Sequence, residues 1–508
     1  MVRRDGRFCQ FQRSRFSWRG DFLAAVCVLL VLFSGFDGAC GTGFLSTGVL
    51  RLNHKFADKL KSNDSIKAFK DHDFRRHGRI LSSTIDIPIG GTADPNVAGL
   101  YYAQLGIGSP VKQYYVQVDT GSDILWVNCV PCYKCPKKSG LGVKLTLYNP
   151  DDSSSSALIG CDQSFCYLAN QGDTILGCKS GNQCQYSVQY GDGSSTTGYY
   201  VKDILQFNEV TGNFQTRTTN ASVIFGCGAQ QSGELQSSNQ ALDGILGFGQ
   251  SNTSMLSQLA LSGEVRKIFS HCLDGDKGGG ILAIGDVVPV NLSTTPLVPN
   301  QPHYNVNLKR IDVDSATLPL DSKVFATSDK QGTIIDSGTT LAYLSEPAYQ
   351  PLVNAIMLAE RSLTYLSQDG MYCFAYDGSV DAAFPTITLY FEGALSMKVS
   401  PHDYLLSSSD NTWCIGWQNS GAQSQENKYM TILGDLVLKN KLVVYNLENQ
   451  TIGWVDYNCS SSIKVKSENG AYESVGAHHL SHGIVLRIGR SPLILISLLT
   501  LILFKWKS

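Results

Sequence analysis

Two short passages, one in each half of the chain, repeat a single pattern. Val116-Gln117-Val118 runs into Asp119-Thr120-Gly121-Ser122, and Gly244-Ile245-Leu246-Gly247 follows later. Thr333-Ile334-Ile335 runs into Asp336-Ser337-Gly338-Thr339, and Thr431-Ile432-Leu433-Gly434 follows later. Each half therefore has an apolar strand ending in Asp-Ser/Thr-Gly, then a second apolar pair closing on Gly. The spacing is far too long for a solenoid repeat and points to two related lobes. One Asp-Thr-Gly alone is an ordinary β-turn, with Asp capping through its side chain and Gly taking positive φ. Two matched copies, each with its own Ile-Leu-Gly, are not explained as two unrelated turns.

The rest of the chain agrees with a strand-built body. With 43% hydrophobic and 17% charged residues, its 508 residues have the apolar mass for a large core, which excludes a disordered chain. After Gly90 the sequence breaks into short runs bounded by Gly, Asn and Asp: Tyr101–Ile107, Tyr114–Val118, Val223–Phe225, Ile281–Ile284, Ile387–Phe391 and Lys441–Tyr445. That texture predicts a mostly β protein. Two helices are expected, Ser254–Leu261 with Asn252 and Thr253 as possible caps, and Glu346–Arg361 opening on Pro347.

Both ends read as targeting segments. Residues 1–39 hold six Arg, then the apolar run Phe22–Phe33, then small residues, the order of a signal peptide. An uncleaved anchor is the alternative, although the run is short for a membrane span. Residues 40–85 read as a basic prosegment, the alternative being a plain basic surface helix. Residues 1–85 carry 15 Lys and Arg against 7 Asp and Glu, and residues 86–480 carry 22 against 36. A positive segment suits a negative cleft, and a body that acidic is a poor binder of nucleic acid. Residues 463–508 read as a linker and lipid-attachment signal. Small residues at Ser481-His482-Gly483 precede a spacer and the apolar run Leu493–Phe504, the order of a GPI signal with Ser481 as the attachment residue. The closing Lys505-Trp506-Lys507-Ser508 departs from that order. A retained membrane anchor and a merely sticky terminus are the alternatives.

Secretion also suits the cysteines. Three of the 15, Cys9, Cys27 and Cys40, lie near the leader, and the remaining twelve fall between Cys129 and Cys459. An even number in an oxidising compartment reads as six disulfides, with connectivity left open by spacing. Cys129, Cys132 and Cys135 also resemble a metal or redox cluster, but no His lies near them. Sequons at Asn220, Asn252, Asn291, Asn449 and Asn458 mark expected glycosylation sites.

On the paired Asp loops, the chain resembles the pepsin-type aspartic endopeptidases over about residues 98–460, and the plant nepenthesin-like branch in particular. The resemblance implies two related six-stranded-barrel-type lobes, 86–290 and 291–462, with a cleft between them. It implies Asp119 and Asp336 as a catalytic pair, with Gly121 and Gly338 allowing close substrate approach and Ser122 and Thr339 orienting the carboxylates. Two carboxylates a few ångströms apart share one proton. One then acts as base on a water and the other as acid toward the scissile carbonyl. Tyr190-Gly191-Asp192-Gly193-Ser194 resembles the flap hairpin, whose plain alternative is an ordinary turn. Trp126 matches the tryptophan that bonds the flap tyrosine, the alternative being a simple core residue. The crowding of Cys161, Cys166, Cys178 and Cys184 before the flap matches the nepenthesin-like insertion. By the same resemblance the disulfides pair Cys129–Cys132, Cys135–Cys227, Cys161–Cys184, Cys166–Cys178, Cys272–Cys459 and Cys373–Cys414.

No metal or organic cofactor is implied. A polypeptide substrate, an acidic working pH, a monomer, and attachment by lipid to the outer face of the plasma membrane or residence in the cell wall are expected. The rival reading is a catalytically silent pepsin-fold binding or inhibitor protein, against which the intact pair and Tyr190 speak. No Gly-X-Ser-X-Gly or His-Glu-X-X-His occurs, so serine esterase and zinc protease readings lack their residues.

Overall fold

The computed structural model describes residues 83–480 apart from 95–98, 171–177, 179–180, 289–291, 369, 410 and 424–426. The leader, most of the prosegment, Asn291, Ser481 and the terminal apolar run lie outside the described residues.

Six strands close the first lobe into a barrel. Their order is Ser195–Gly212, Gln215–Ser232, Leu125–Tyr133, Gly244–Gly247, Lys112–Asp119 and Leu100–Ile107, and the last returns to the first through Gly106 and Gln206. Alternation decides which face goes inward. In Lys112–Asp119, Tyr114, Val116 and Val118 are buried while Gln113, Tyr115 and Gln117 lie on the other face. The second lobe spreads over one five-stranded and two four-stranded sheets beside the helix Glu346–Ala359. That helix buries Ala348, Tyr349, Leu352, Val353 and Ile356, one stripe at helical spacing.

One sheet joins the lobes. Lys441–Asn446 pairs with Thr451–Asp456 on one side and Ile268–Leu273 on the other; Gly280–Ile284 and Ile85–Ile87 carry the sheet on to the barrel. Phe269 stacks between Phe248 and Tyr445, with ring centroids 4.7 and 4.3 Å away. The lobes are thus bound by backbone pairing and an aromatic layer.

The strands expected from sequence are present, each within a strand of equal or greater length. Four details differ. The second helix ends at Ala359, two residues short of the expected Arg361. The first helix is Met255–Ser262, capped by Ser254, whose hydroxyl accepts from the Ser257 amide, and stopped by Gly263 at φ 84°. Asn252 and Thr253 therefore stand outside it. Residues 83–85, assigned above to the prosegment, belong to the body. Ile85 is fully buried opposite Ile284, and the Ser83 amide donates to the Glu264 carbonyl. Residues 463–480, assigned to a linker, form a hairpin and a strap: Ser462–Lys466 pairs with Tyr472–Gly476, and Ile463, Val465 and Val475 are buried against the joining sheet.

Four of the six disulfides also differ from the pairing implied above. Cys129 joins Cys227, Cys132 joins Cys135, Cys161 joins Cys178 and Cys166 joins Cys184; Cys272–Cys459 and Cys373–Cys414 are as expected. The strands Leu125–Tyr133 and Gln215–Ser232 run side by side, which brings the Cα atoms of Cys129 and Cys227 within 5.4 Å. Cys132 and Cys135 are left to close on each other around Lys134, at φ 60°. In the insertion, the buried Cys166 of the helix Ser164–Ala169 meets the fully buried Cys184, leaving the partly exposed Cys161 and Cys178 to pair.

Candidate active site

Each lobe builds its Asp loop from the same three strands. Lys112–Asp119 lies parallel to Gly244–Gly247, with Asp119 opposite Gly247, and Leu125–Tyr133 runs antiparallel on the other side. In the second lobe Gln331–Ile335 lies parallel to Tyr429–Leu433, with Ile335 opposite Leu433, and Ala342–Leu344 runs antiparallel. Gly247 and Gly434 are required by close approach. A Cβ on Gly434 would stand 2.2 Å from the carbonyl oxygens of Thr339 and Leu341, and one on Gly247 would stand 2.5 Å from the Asp123 carbonyl carbon.

The loops then face each other across the cleft. The Gly121 amide donates to Asp119 Oδ1 at 2.8 Å and the Ser122 hydroxyl to Asp119 Oδ2 at 2.5 Å. The Gly338 amide donates to Asp336 Oδ1 at 2.8 Å and the Thr339 hydroxyl to Asp336 Oδ2 at 2.7 Å. Each loop glycine sits against the opposite carboxyl group. A Cβ on Gly338 would fall 2.1 Å from Asp119 Oδ1, and one on Gly121 would fall 2.6 Å from Asp336 Oδ1. Burial, and next the charge of Asp336, hold the Asp119 carboxyl well above the ordinary range, against the pull of the Ser122 and Gly121 hydrogen bonds.

A second layer ties the loops together from behind. The Thr120 hydroxyl oxygen accepts from the Ser337 amide at 2.9 Å and donates to the Ile335 carbonyl at 3.4 Å. The Ser337 hydroxyl donates to the Val118 carbonyl at 3.3 Å. Gln117 Nε2 donates to the Gly338 carbonyl at 3.2 Å. Asp435, just after Gly434, is buried, and neither of its side-chain oxygens has a hydrogen-bond partner among the described residues. Burial and the charges of Asp336 and Asp119 push its carboxyl well up, with Lys439 opposing. Sequence reasoning missed these four residues. The signal for Thr120 and Ser337 was present: both loops carry a hydroxyl at the same place.

The hairpin of Gln185–Gln189 and Ser195–Gly212 covers the cleft from the first lobe. Its turn is held by Asp192, whose Oδ1 accepts from the amide and hydroxyl of Ser194, and Gly193 takes φ 82°. Trp126 Nε1 donates to the Tyr190 hydroxyl at 2.7 Å, fixing the flap to the strand that leaves the first Asp loop. The cleft has a volume of about 1410 Å³ and is lined by both lobes. Both Asp loops' carboxyl, glycine and hydroxyl residues, Tyr190 of the flap and Trp126 line it. The disulfides lie outside the catalytic loops. The sequon residues Asn220, Asn252, Asn449 and Asn458 are exposed.

A mostly β molecule whose two lobes bring matched Asp loops together under a flap has the pepsin-like fold. Basic 7S globulin from soybean shares it, with a TM-score of 0.57 at 22% identity over 74% of this chain and 97% of the other. So does conglutin gamma from lupine seeds, with a TM-score of 0.58 at 19% identity over 73% and 95%. Residues 101–286 and 303–456 match the families described as xylanase inhibitor N-terminal and xylanase inhibitor C-terminal. Aspartic proteinase 36 of Arabidopsis thaliana is 49% identical over 432 residues, covering 85% of this chain and 88% of the relative. Aspartic proteinase nepenthesin-2 of Nepenthes gracilis is 30% identical over 382 residues, covering 72% and 79%. The chain belongs to the pepsin-like aspartic proteinases, a family of peptide-bond hydrolases.

Proposed function

We propose that the protein is a secreted endopeptidase that hydrolyses peptide bonds through a water activated between Asp119 and Asp336. The observation that carries this reading is the reciprocal seating of each carboxyl group against the other loop's glycine. At that separation the pair keeps one proton. The ionised carboxylate takes a proton from the water as it attacks the scissile carbonyl carbon. The protonated partner donates to the carbonyl oxygen, giving a tetrahedral gem-diol. On collapse the carboxyl that took the water's proton gives it to the amine nitrogen as the C–N bond breaks, the other carboxylate takes back a hydroxyl proton of the gem-diol, and no covalent enzyme intermediate forms. Tyr190, locked by Trp126, closes the site from above. The reading includes an acidic optimum, because the mechanism needs one carboxyl protonated. A rate maximum in the alkaline range would contradict it.

The same reading places the mature enzyme outside the cell as a monomer, made with a removable basic prosegment. It is glycosylated at exposed sequons and attached to the membrane through the C-terminal segment, with Ser481 as the lipid-bearing residue. A second reading, a cleft that binds a partner without cutting it, is favoured by the inhibitor descriptions of the matched families. One experiment separates the two. Protein freed of its prosegment is given a denatured protein substrate at about pH 4, where one carboxyl of such a pair holds a proton. The endopeptidase reading expects cleavage, inhibition by pepstatin, and no cleavage by Asp119→Asn or Asp336→Asn. Wild type no more active than those variants gives the cleft to the binding reading.

A further inference from the structure

Between Asp123 and Asp151 the chain carries no acidic residue, yet it holds Lys134, Lys137, Lys138 and Lys144, all exposed. No carboxylate forms an ion pair with any of them among the described residues. The surrounding body is acidic, so this cluster is a local reversal of sign. It is also firmly mounted. Cys132–Cys135 and Cys129–Cys227 tie down its start. The Gly140 amide donates to the Ser238 carbonyl at 2.7 Å, and the Ser139 hydroxyl to the Ala241 carbonyl at 2.6 Å. The segment it rests on, 235–242, has no acidic residue, and Asp243 beyond it is buried with its carboxylate turned inward to the Tyr115 and Thr146 amides.

The second observation is where the chain leaves the body. Leu480, the last described residue before the C-terminal segment, packs into the apolar cluster of Leu100, Tyr102, Val143 and Leu242, beside Leu141 and Leu145. Its amide donates to the Ile89 carbonyl at 3.2 Å, and its carbonyl accepts from the Tyr102 hydroxyl at 3.1 Å. The exit point is therefore pinned to the lysine loop itself. Residues 481–508 hold four basic residues and no acidic one, so charge does not draw them to that loop. If the lipid is carried on Ser481, its point of attachment lies one residue beyond Leu480.

We infer that the loop around Lys134, Lys137, Lys138 and Lys144 is the face by which the anchored enzyme rests on a bilayer, with anionic lipid headgroups as its partner. This rests on the membrane attachment proposed above. An anionic surface repels a body of net acidic charge, so a basic cluster on one face favours one orientation as well as raising affinity. Each lysine near such a surface strengthens binding about fivefold, and salt weakens it.

The test adds the full chain, with its native C-terminal attachment, to vesicles of phosphatidylcholine alone and to vesicles that also contain phosphatidylglycerol. Binding to the first set reads the attachment; the gain on the second reads the lysines. The expected gain is about tenfold or more at low salt, is erased at high salt, and disappears in Lys137→Gln/Lys138→Gln/Lys144→Gln. Peptidase activity of that variant in solution should match wild type, which shows that it is folded. No binding to phosphatidylcholine vesicles overturns the attachment. Equal gain in wild type and variant, or a gain that survives high salt, overturns the lysine face.

Discussion

In the first half the strand leading into Asp119 is one stave of a closed six-stranded barrel; in the second, the strand leading into Asp336 belongs to a five-stranded sheet beside a long helix. The scaffolds differ, and the loops they present nearly coincide. Parallel pairing, a crossing antiparallel strand and one glycine are common to both, so that trio is what the loop geometry demands. Around it the two halves are built differently. The chemical difference falls one residue past the glycine. Phe248 stacks on Phe269 in the first half, while Asp435 in the second half is a buried acid with no hydrogen-bond partner among the described residues. One half is finished with an aromatic core residue and the other with a carboxyl that burial and the charges of Asp336 and Asp119 push well up.

The largest test of this symmetry is Gly338→Ala. Its methyl meets Asp119 Oδ1 at 2.1 Å, closer than the 2.6 Å between a Gly121→Ala methyl and Asp336 Oδ1. Both should reduce kcat/KM by about 10²-fold or more, with Gly338→Ala the worse. Equal or mild losses in steady-state kinetics would mean that the loops have room to separate.

Next is Asp435. Its raised carboxyl holds a proton in the folded state that the unfolded chain releases above the ordinary carboxylate range. Folding stability therefore falls as pH rises from about 4. Asp119, Asp123 and Asp243, the last pushed up to about 7, act in the same direction. His271, lowered to about 3 by burial, opposes them, because the unfolded chain takes up its proton below about 6.5. Glu209, Asp274 and Glu448, whose carboxyls are lowered, also oppose them, but only near the ordinary carboxylate range, so Tm should decline from about pH 5 toward 7. Asp435→Asn should flatten that slope by at most about 1.4 kcal/mol per pH unit, and Phe248→Leu should leave it unchanged. Parallel Tm profiles for Asp435→Asn and wild type would place the stored proton elsewhere.

The grip behind the loops is lopsided. Thr120 both accepts and donates, whereas Ser337 only donates through its hydroxyl. Thr120→Val leaves the buried Ser337 amide unsatisfied and should cost about 2 kcal/mol in denaturant unfolding, against about 1 kcal/mol for Ser337→Ala. The reverse order would show that the weight of the grip lies in the second lobe.

The smallest expected effect is at the hydroxyls. Ser122→Ala should lower kcat about tenfold and Thr339→Val similarly, since each removes a hydrogen bond to a carboxylate. Losing that bond raises the carboxyl's pKa, so the acid limb of the pH–rate profile should move to higher pH. A limb that stays in place would show that the hydroxyls orient the pair without tuning it.

How much of this was readable beforehand follows the range of the forces involved. The Asp loops, their glycines and the flap were legible because turn chemistry is local. The strands were legible from alternation, as Tyr114, Val116 and Val118 illustrate. The pairing of Cys161, Cys166, Cys178 and Cys184 was not, since it depends on which sulfurs the folded insertion buries together. Asp435 was silent because a carboxyl after a glycine resembles any surface turn until the fold closes over it. The C-terminal hairpin was legible and was passed over. Asn469-Gly470 between Ile463/Val465 and Val475 is a strong hairpin signal, obscured by the basic, tail-like context.

The reciprocal glycines have one more consequence. Two copies of one motif meeting so that each presses on its counterpart amount to an isologous contact, the kind found on the two-fold axis of a homodimer, here enclosed in a single chain. On such an axis neither carboxyl group is distinguished from the other, and a proton placed between them has no preferred owner. Direction must be imposed from off the axis. In this molecule that falls to what exists once: the flap with Tyr190 on one side, and Asp435 on the other.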